Sequence, residues 1–138
     1  MPFTTEEIGR VCHEANRAIQ AILEEPVSKP WDELEPDMKE SVLHGVRVVQ
    51  EGNTPEESHR QWCMVREAQG WILGPVKDEA VKTHPNLVPY DKLPEDQKAK
   101  DLLFGGIVRA LDVTDNGQTL ERGSSNDSTR TAGGQSVP

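Results

Sequence analysis

A chain of 138 residues with 24 acidic and 15 basic side chains is the size of one domain and long enough to bury a core without disulfide or metal staples. The resulting formal charge of −9 argues against a duplex nucleic-acid binder held by phosphate neutralisation. There is no basic region followed by an apolar run, and no stretch nears the roughly 20 apolar residues of a bilayer span, so a cytoplasmic protein that stays off the membrane is expected.

Thr4 to Leu23 predicts the first helix. Thr4 and Glu7 are placed as a capping pair, and Ile8, Val11, Cys12, Ala15, Ile19, Ile22 and Leu23 recur at helical spacing as a core stripe. Beside it His13, Asn16, Arg17 and Gln20 make a polar face, suited either to hydrogen-bonding a ligand or to plain solvation. Glu24 to Pro36 is an acidic, proline-containing connector that Trp31 should pin to the core, because an indole buries a large area. Pro36 opens a second helix reaching about Glu51, with Met38, Val42, Val46 and Val49 inward and His44 beside them as a structural histidine; Gly52-Asn53 ends it.

The third helix begins with a hydroxyl cap, a proline at the first turn and an acid three residues after the cap: Thr54, Pro55, Glu57. It runs to Gly70, and His59, Trp62, Cys63 and Arg66 share one of its faces. Trp71 to Leu73 reads as a brief extended segment, Gly74-Pro75 as a turn, and Val76 to Thr83 as one helical turn at most. Pro85, Pro89 and Pro94 exclude regular structure from His84 to Pro94, a loop that is ordered if Leu87, Val88 and Tyr90 are buried. The last helix spans Pro94 to about Asp112 with Leu102, Leu103, Ile107, Val108 and Leu111 inward. Gly105-Gly106 within it, costing about 1 kcal/mol each against alanine, points to close helix packing. From Val113 the polar, glycine-rich composition predicts disorder over 113–138. The fold class expected over 1–112 is mainly α, a small single-domain bundle of about four helices with a short extended segment and a long Pro-rich ordered loop.

The central stretch carries a pattern of its own. His59-x-x-Trp62, Gly70-Trp71-x-x-Gly74-Pro75, His84-Pro85-x-Leu87-Val88-Pro89-Tyr90, Leu93-Pro94 and the helix bearing Lys98 and Asp101 resemble the RyR repeat domain, the module found in tandem in ryanodine receptors. The resemblance covers roughly 31–111, and the segment before it is similar to the front end of short stand-alone versions in bacteria and their phages. Leu73 departs from the family, which commonly has an aromatic there. The family's paired repeats hold an adenine nucleotide between them, so the resemblance implies a nucleotide or nucleotide-derived ligand. It implies Trp62 as the stacking ring and Arg66 and Lys77 as phosphate contacts, with lysine at the latter losing bidentate geometry. His59, Trp71, His84 and Tyr90 would frame the site, and His13, Asn16 and Arg17 would join it from the first helix. No internal repeat is evident, so a single copy would recreate the pair as a homodimer.

Catalysis and metal binding find little support in the spacing. Cys12 and Cys63 read as buried free thiols of a reducing compartment. Cys63 and His59 lie four apart, yet no third orienting group or glycine-rich oxyanion loop accompanies them. No Cys-x-x-Cys or His-Glu-x-x-His spacing supports zinc, and Gly70-Trp71-x-x-Gly74 lacks the ending of a phosphate loop. The expected function is therefore a non-enzymatic binding module for a nucleotide-derived signal, a sensor or sponge in bacterial or phage immunity, with no cofactor and no metal. The alternative is a protein-interaction or structural module in which both tryptophans are simply core.

Overall fold

The computed structural model describes residues 2–112; the 113–138 tail expected to be disordered lies outside the described residues. The elements in chain order are α1 (Thr5–Ile22), a 3-10 turn (Trp31–Glu33), α2 (Pro36–Gln50), α3 (Pro55–Ala68), β1 (Ile72–Leu73), β2 (Thr83–His84), a second 3-10 turn (Tyr90–Lys92) and α4 (Glu95–Leu111). The expected mainly helical architecture is the one observed. Among the described residues no helix is long and apolar enough to cross a membrane.

Caps and chain exits set the helix boundaries. Thr4 Oγ1 accepts from the Glu7 amide at 3.0 Å while Glu7 Oε1 accepts from the Thr4 amide at 2.8 Å, closing a capping box on α1. At the end of α3 the Trp71 amide returns to Arg66 O and the Gly70 amide to Glu67 O, both at 3.0 Å, with Gly70 at φ +95. This paired closure brings the chain back onto the helix it has just left, which is why Trp71 is buried directly against α3. The end of α1 closes in the same way around Glu24, a non-glycine residue at φ 59.

The core lies where α1, α2 and α4 meet: Ile8, Cys12, Val46, Val49 and Val108 are buried, with Phe104, Ile107 and Leu111 packed on them. Close approach occurs at Gly9, where a Cβ would stand 2.9 Å from Leu43 Cδ2 and 3.4 Å from the Trp31 ring. Trp31 is 2% exposed and pins the connector as expected.

Three packing expectations are corrected. On α1, Val11 and Ile22 face solvent, and His13 and Gln20 from the supposed polar face are buried instead. On α4, Leu102 and Leu103 are exposed, and the inward positions are Phe104, Gly105 and Val108. The phase of α4 follows from Phe104, whose ring seats against Gly45 closely enough that a Cβ there would lie 3.2 Å away. Nor do Gly105 and Gly106 admit a neighbouring helix. A Cβ on Gly105 would first meet the Arg109 side chain of the same helix, and one on Gly106 would meet nothing within 4 Å.

The parallel pairing of β1 with β2, Ile72 opposite Thr83 and Leu73 opposite His84, was not legible in the sequence. No helical turn forms between them. Asp78 and Thr83 exchange backbone hydrogen bonds, and Thr83 Oγ1 donates to Val76 O at 2.9 Å, folding the crossover back on itself. Of the three residues on which order in the Pro-rich loop was expected to depend, Leu87 is buried and Val88 and Tyr90 are half-buried; Leu93 at its end is buried too.

The strand pair depends on the absence of a side chain at Gly74, where a Cβ would lie 2.6 Å from Thr83 Cβ. Gly74→Ala is predicted to lower the unfolding free energy by about 1–3 kcal/mol in urea denaturation. An unchanged midpoint would mean that the pairing contributes nothing to stability.

Candidate functional site

The shared face of α3 is the scaffold of the site. His59 Nε2 donates to Val88 O of the Pro-rich loop at 2.7 Å, which anchors the ring and brings that loop over the helix. A chain of rings follows. His59 stacks on Trp62 with centroids 5.6 Å apart and meets Tyr90 edge-on, while His84 sets its edge against Trp62 at 5.0 Å and lies 6.1 Å from Trp71. The strand pairing is what delivers His84 to this place, since Leu73, two residues after Trp71, is its register partner.

Arg66 stands between the two indoles, its Cζ 5.5 Å from the Trp62 centroid and 5.2 Å from that of Trp71. Its hydrogen-bond partner is Met38 Sδ, and its buried Nε has none; among the described residues it forms no ion pair. Burial pulls the guanidinium down to about 10, against the distant attraction of Asp37 and Glu79, so it remains charged at neutral pH. A cation left without a carboxylate in so enclosed a place is costly unless something anionic approaches it.

Two further cations converge. Lys77 Nζ donates to Ser28 Oγ at 2.9 Å, and its pKa is lowered by burial first, with Arg66 and Lys100 adding to the effect. Lys100 is neutralised by Glu25. His84 Nδ1 accepts from the Asn86 amide at 3.1 Å, which leaves the proton of the neutral ring on Nε2. Burial pushes His84 down to about 3, with Lys77, Arg66 and Lys100 contributing, so it offers a neutral N–H and not a charge.

These groups line a cavity of about 620 Å³. Of the residues expected from sequence, Trp62, Arg66, Lys77, His59, His84, His13 and Asn16 border it, and three do not. Trp71 is buried behind Arg66, Tyr90 lies beyond His59, and Arg17 turns to Ser28 O and Glu14. Trp62, expected as the stacking ring, borders the cavity, and its ring also meets His59 and the Arg66 guanidinium. The polar face of α1 is neither open nor merely solvated. His13 Nε2 donates to Lys29 O, Arg17 Nε to Ser28 O, and Gln20 brackets Ser28 from both ends of its amide. Asn16 is the exception, half-buried with no hydrogen bond from its side chain among the described residues.

Asp101 was not singled out as a site residue. It borders the same cavity, burial pushes it up to about 7, and its Oδ2 makes no hydrogen bond, lying 3.9 Å from His59 Nδ1. The signal was available: Asp101, Phe104, Gly105 and Val108 fall on one helical face, and phasing α4 on Phe104 would have turned Asp101 inward. Cys63 Sγ is 3.4 Å from His59 Nε2, but that nitrogen's proton goes to Val88 O and burial pushes the thiol up to about 11. The pair therefore lacks an activated nucleophile. Among the described residues no group of three or more His, Cys, Asp or Glu side chains is disposed to hold a metal.

Fold and site together define a small helical domain that presents one arginine, clasped by aromatic rings, to an internal cavity. Residues 50–104 match the RyR domain family, so this part of the chain is a RyR domain, comprising α3, both strands, the Pro-rich loop and most of α4. The chain matches no solved structure.

The Asp101 carboxyl gives a pH prediction. Its folded pKa of about 7 lies above the roughly 4 of an unfolded aspartate, so the folded state keeps a proton that the unfolded state has lost. Its contribution to stability falls as pH rises from 4 to 7. His84, depressed to about 3 in the fold, acts oppositely over the range from 3 to 6.5. Asp101→Asn is expected to be more stable than the parent at pH 8, by about 1–3 kcal/mol, with the difference shrinking towards pH 4 in urea titrations.

Proposed function

We propose that this RyR domain binds a nucleotide or nucleotide-derived signalling molecule without transforming it. The observation that carries the reading is the half-buried Arg66, charged, clasped by Trp62 and Trp71 on the cavity wall and paired with no carboxylate among the described residues. Lys77 and the Nε2–H of His84 extend the same wall, so a cation, an ammonium and a neutral donor face one space. That is the complement of a phosphate, for which guanidinium and ammonium donors are suited. With the Trp62 ring already in contact with His59 and the Arg66 guanidinium, this reading gives the phosphate, and not the base, to this end of the cavity.

The inert Cys63–His59 pair supports binding over turnover. In the setting that the RyR resemblance suggests, a bacterial or phage cytoplasm, such a module serves as a sensor or sponge for an immune signalling nucleotide. No cofactor or metal enters this reading. The test is a thermal-shift and calorimetric screen of the intact protein against AMP, ADP, ADP-ribose and cyclic dinucleotides. At a ligand concentration of about 100 Kd the gain is about 2.7 kcal/mol of stability. Arg66→Ala is expected to weaken binding by at least about tenfold, with the ligand recovered unchanged by chromatography. Failure of every nucleotide to raise the melting temperature would remove the reading.

A separate observation bears on the homodimer that this reading includes. Ile72 and Leu73 on β1 and Val76 and Val81 on the crossover all face solvent, a cluster of apolar side chains beside an unpaired strand edge. We assign this face to a second copy of the chain, forming the homodimer expected from the paired repeats. Sedimentation velocity should show a dimer that Leu73→Asp converts to monomer; a monomer in the parent protein rules the assignment out.

A further inference from the structure

The match to the RyR family begins at residue 50, so α1 and the connector lie in front of it, yet the cavity is closed on one side by α1. The inner face of that helix is made of His13, Asn16 and Gln20, at the spacings that align side chains along one edge. His13 and Gln20 spend hydrogen bonds on the connector: His13 Nε2 on Lys29 O at 2.7 Å, and Gln20 on Ser28 at 2.8 and 3.1 Å. Ser28 in turn receives the Lys77 ammonium at 2.9 Å. Gln20, one turn beyond Asn16, is therefore joined through a single serine to the cationic corner of the cavity.

Asn16 is different from its neighbours. It borders the same cavity, is half-buried, and neither atom of its amide has a protein partner among the described residues. Half-buried and without a protein partner, this amide is left to water or to a ligand in the cavity. An asparagine amide presents one acceptor and two donors in a plane, which is the complement of an edge bearing a donor next to an acceptor. Nucleobase edges and carboxamides hold that pattern fixed in a plane; phosphate lacks it, and ribose hydroxyls, each both donor and acceptor, do not distinguish one base from another.

We propose that Asn16 reads the hydrogen-bonding edge of the ligand's ring, so that the helix in front of the RyR domain sets which nucleotide the cavity accepts. This rests on the nucleotide reading above. It divides the labour within the cavity: Arg66 and Lys77 hold the anionic end, and the α1 amide discriminates the heterocycle. Selectivity of this kind arises because a ring seated against the amide displaces its water, and an analogue with the wrong edge does not replace the lost hydrogen bonds.

The test is calorimetry on the full chain with the 5′-monophosphates of adenosine, guanosine, cytidine and uridine, ADP-ribose, and base-free ribose 5-phosphate, using the parent, Asn16→Ala and Arg66→Ala. Asn16→Ala is expected to weaken the preferred base-bearing probe about tenfold and flatten the ranking of bases, while leaving ribose 5-phosphate unchanged. Arg66→Ala should weaken all of them. Should Asn16→Ala lose its fold, Asn16→Asp, which is isosteric but keeps only the acceptors, is expected to reorder the bases. Unchanged affinity and ranking in the Asn16 variants, with Arg66→Ala still impaired, overturns the role of Asn16 and leaves the nucleotide reading standing. An equal loss for base-bearing and base-free probes overturns it too, since that reports a structural contribution. No binding by the parent to any probe overturns both.

Discussion

A charged guanidinium held between two indoles, with no acid to answer it, is the constraint around which this molecule is arranged. Arg66 sits on α3 and Trp62 one turn before it, so that contact is local. Trp71 reaches the other side only because the chain closes back on α3 through Gly70 and the Trp71 amide. Arg66 thus receives one indole from helical periodicity and the other from the way the helix ends. Each contact of this type contributes about 0.5–2 kcal/mol, depending on desolvation, which offsets part of the cost of enclosing the charge but not the lack of a counter-ion.

Around that centre the same few devices recur. His59 ties the Pro-rich loop to α3 through Val88 O, the parallel strand pair carries His84 to the rings, and Asn86 fixes which nitrogen of His84 keeps its proton. Asn86 is itself held by Gln97, and Gln97 donates to Glu25, three residues after the end of α1. The imidazole on the cavity wall is therefore linked by successive hydrogen bonds to the exit of the first helix, through three elements far apart in sequence.

The sequence disclosed the helices well because their signals are local. Thr4 with Glu7, Thr54 with Pro55 and Glu57, and the glycines after α2 and α3 mark caps and exits that need no tertiary partner. It disclosed the face of α3 for the same reason. What it concealed was the phase of α4 and the pairing of the strands. Leu102, Leu103, Ile107 and Val108 satisfy a helical stripe in more than one rotation, and only the fit of Phe104 against Gly45 selects the observed one, turning Asp101 into the cavity. Two-residue strands carry no periodicity at all, so their register is decided by Gly74 yielding space to Thr83. The polar face of α1 was visible as a cluster, but hydrogen bonds to a connector of irregular backbone have no sequence signature, and they separate His13, Arg17 and Gln20 from Asn16.

The ring chain from His59 to Tyr90 spans a short, continuous length of polypeptide, whereas the opposite wall arrives from residues ahead of α2. Joining near neighbours closes small loops at little entropic cost; docking α1 closes a much longer one. The two walls accordingly differ in what holds them. The ring wall is assembled from near neighbours, whereas the wall that carries Asn16 stands on a helix whose Ile8 and Cys12 are buried in the core shared with α2 and α4. The amino-terminal wall therefore lasts as long as the bundle does, and a change in its cavity face is felt by the whole fold.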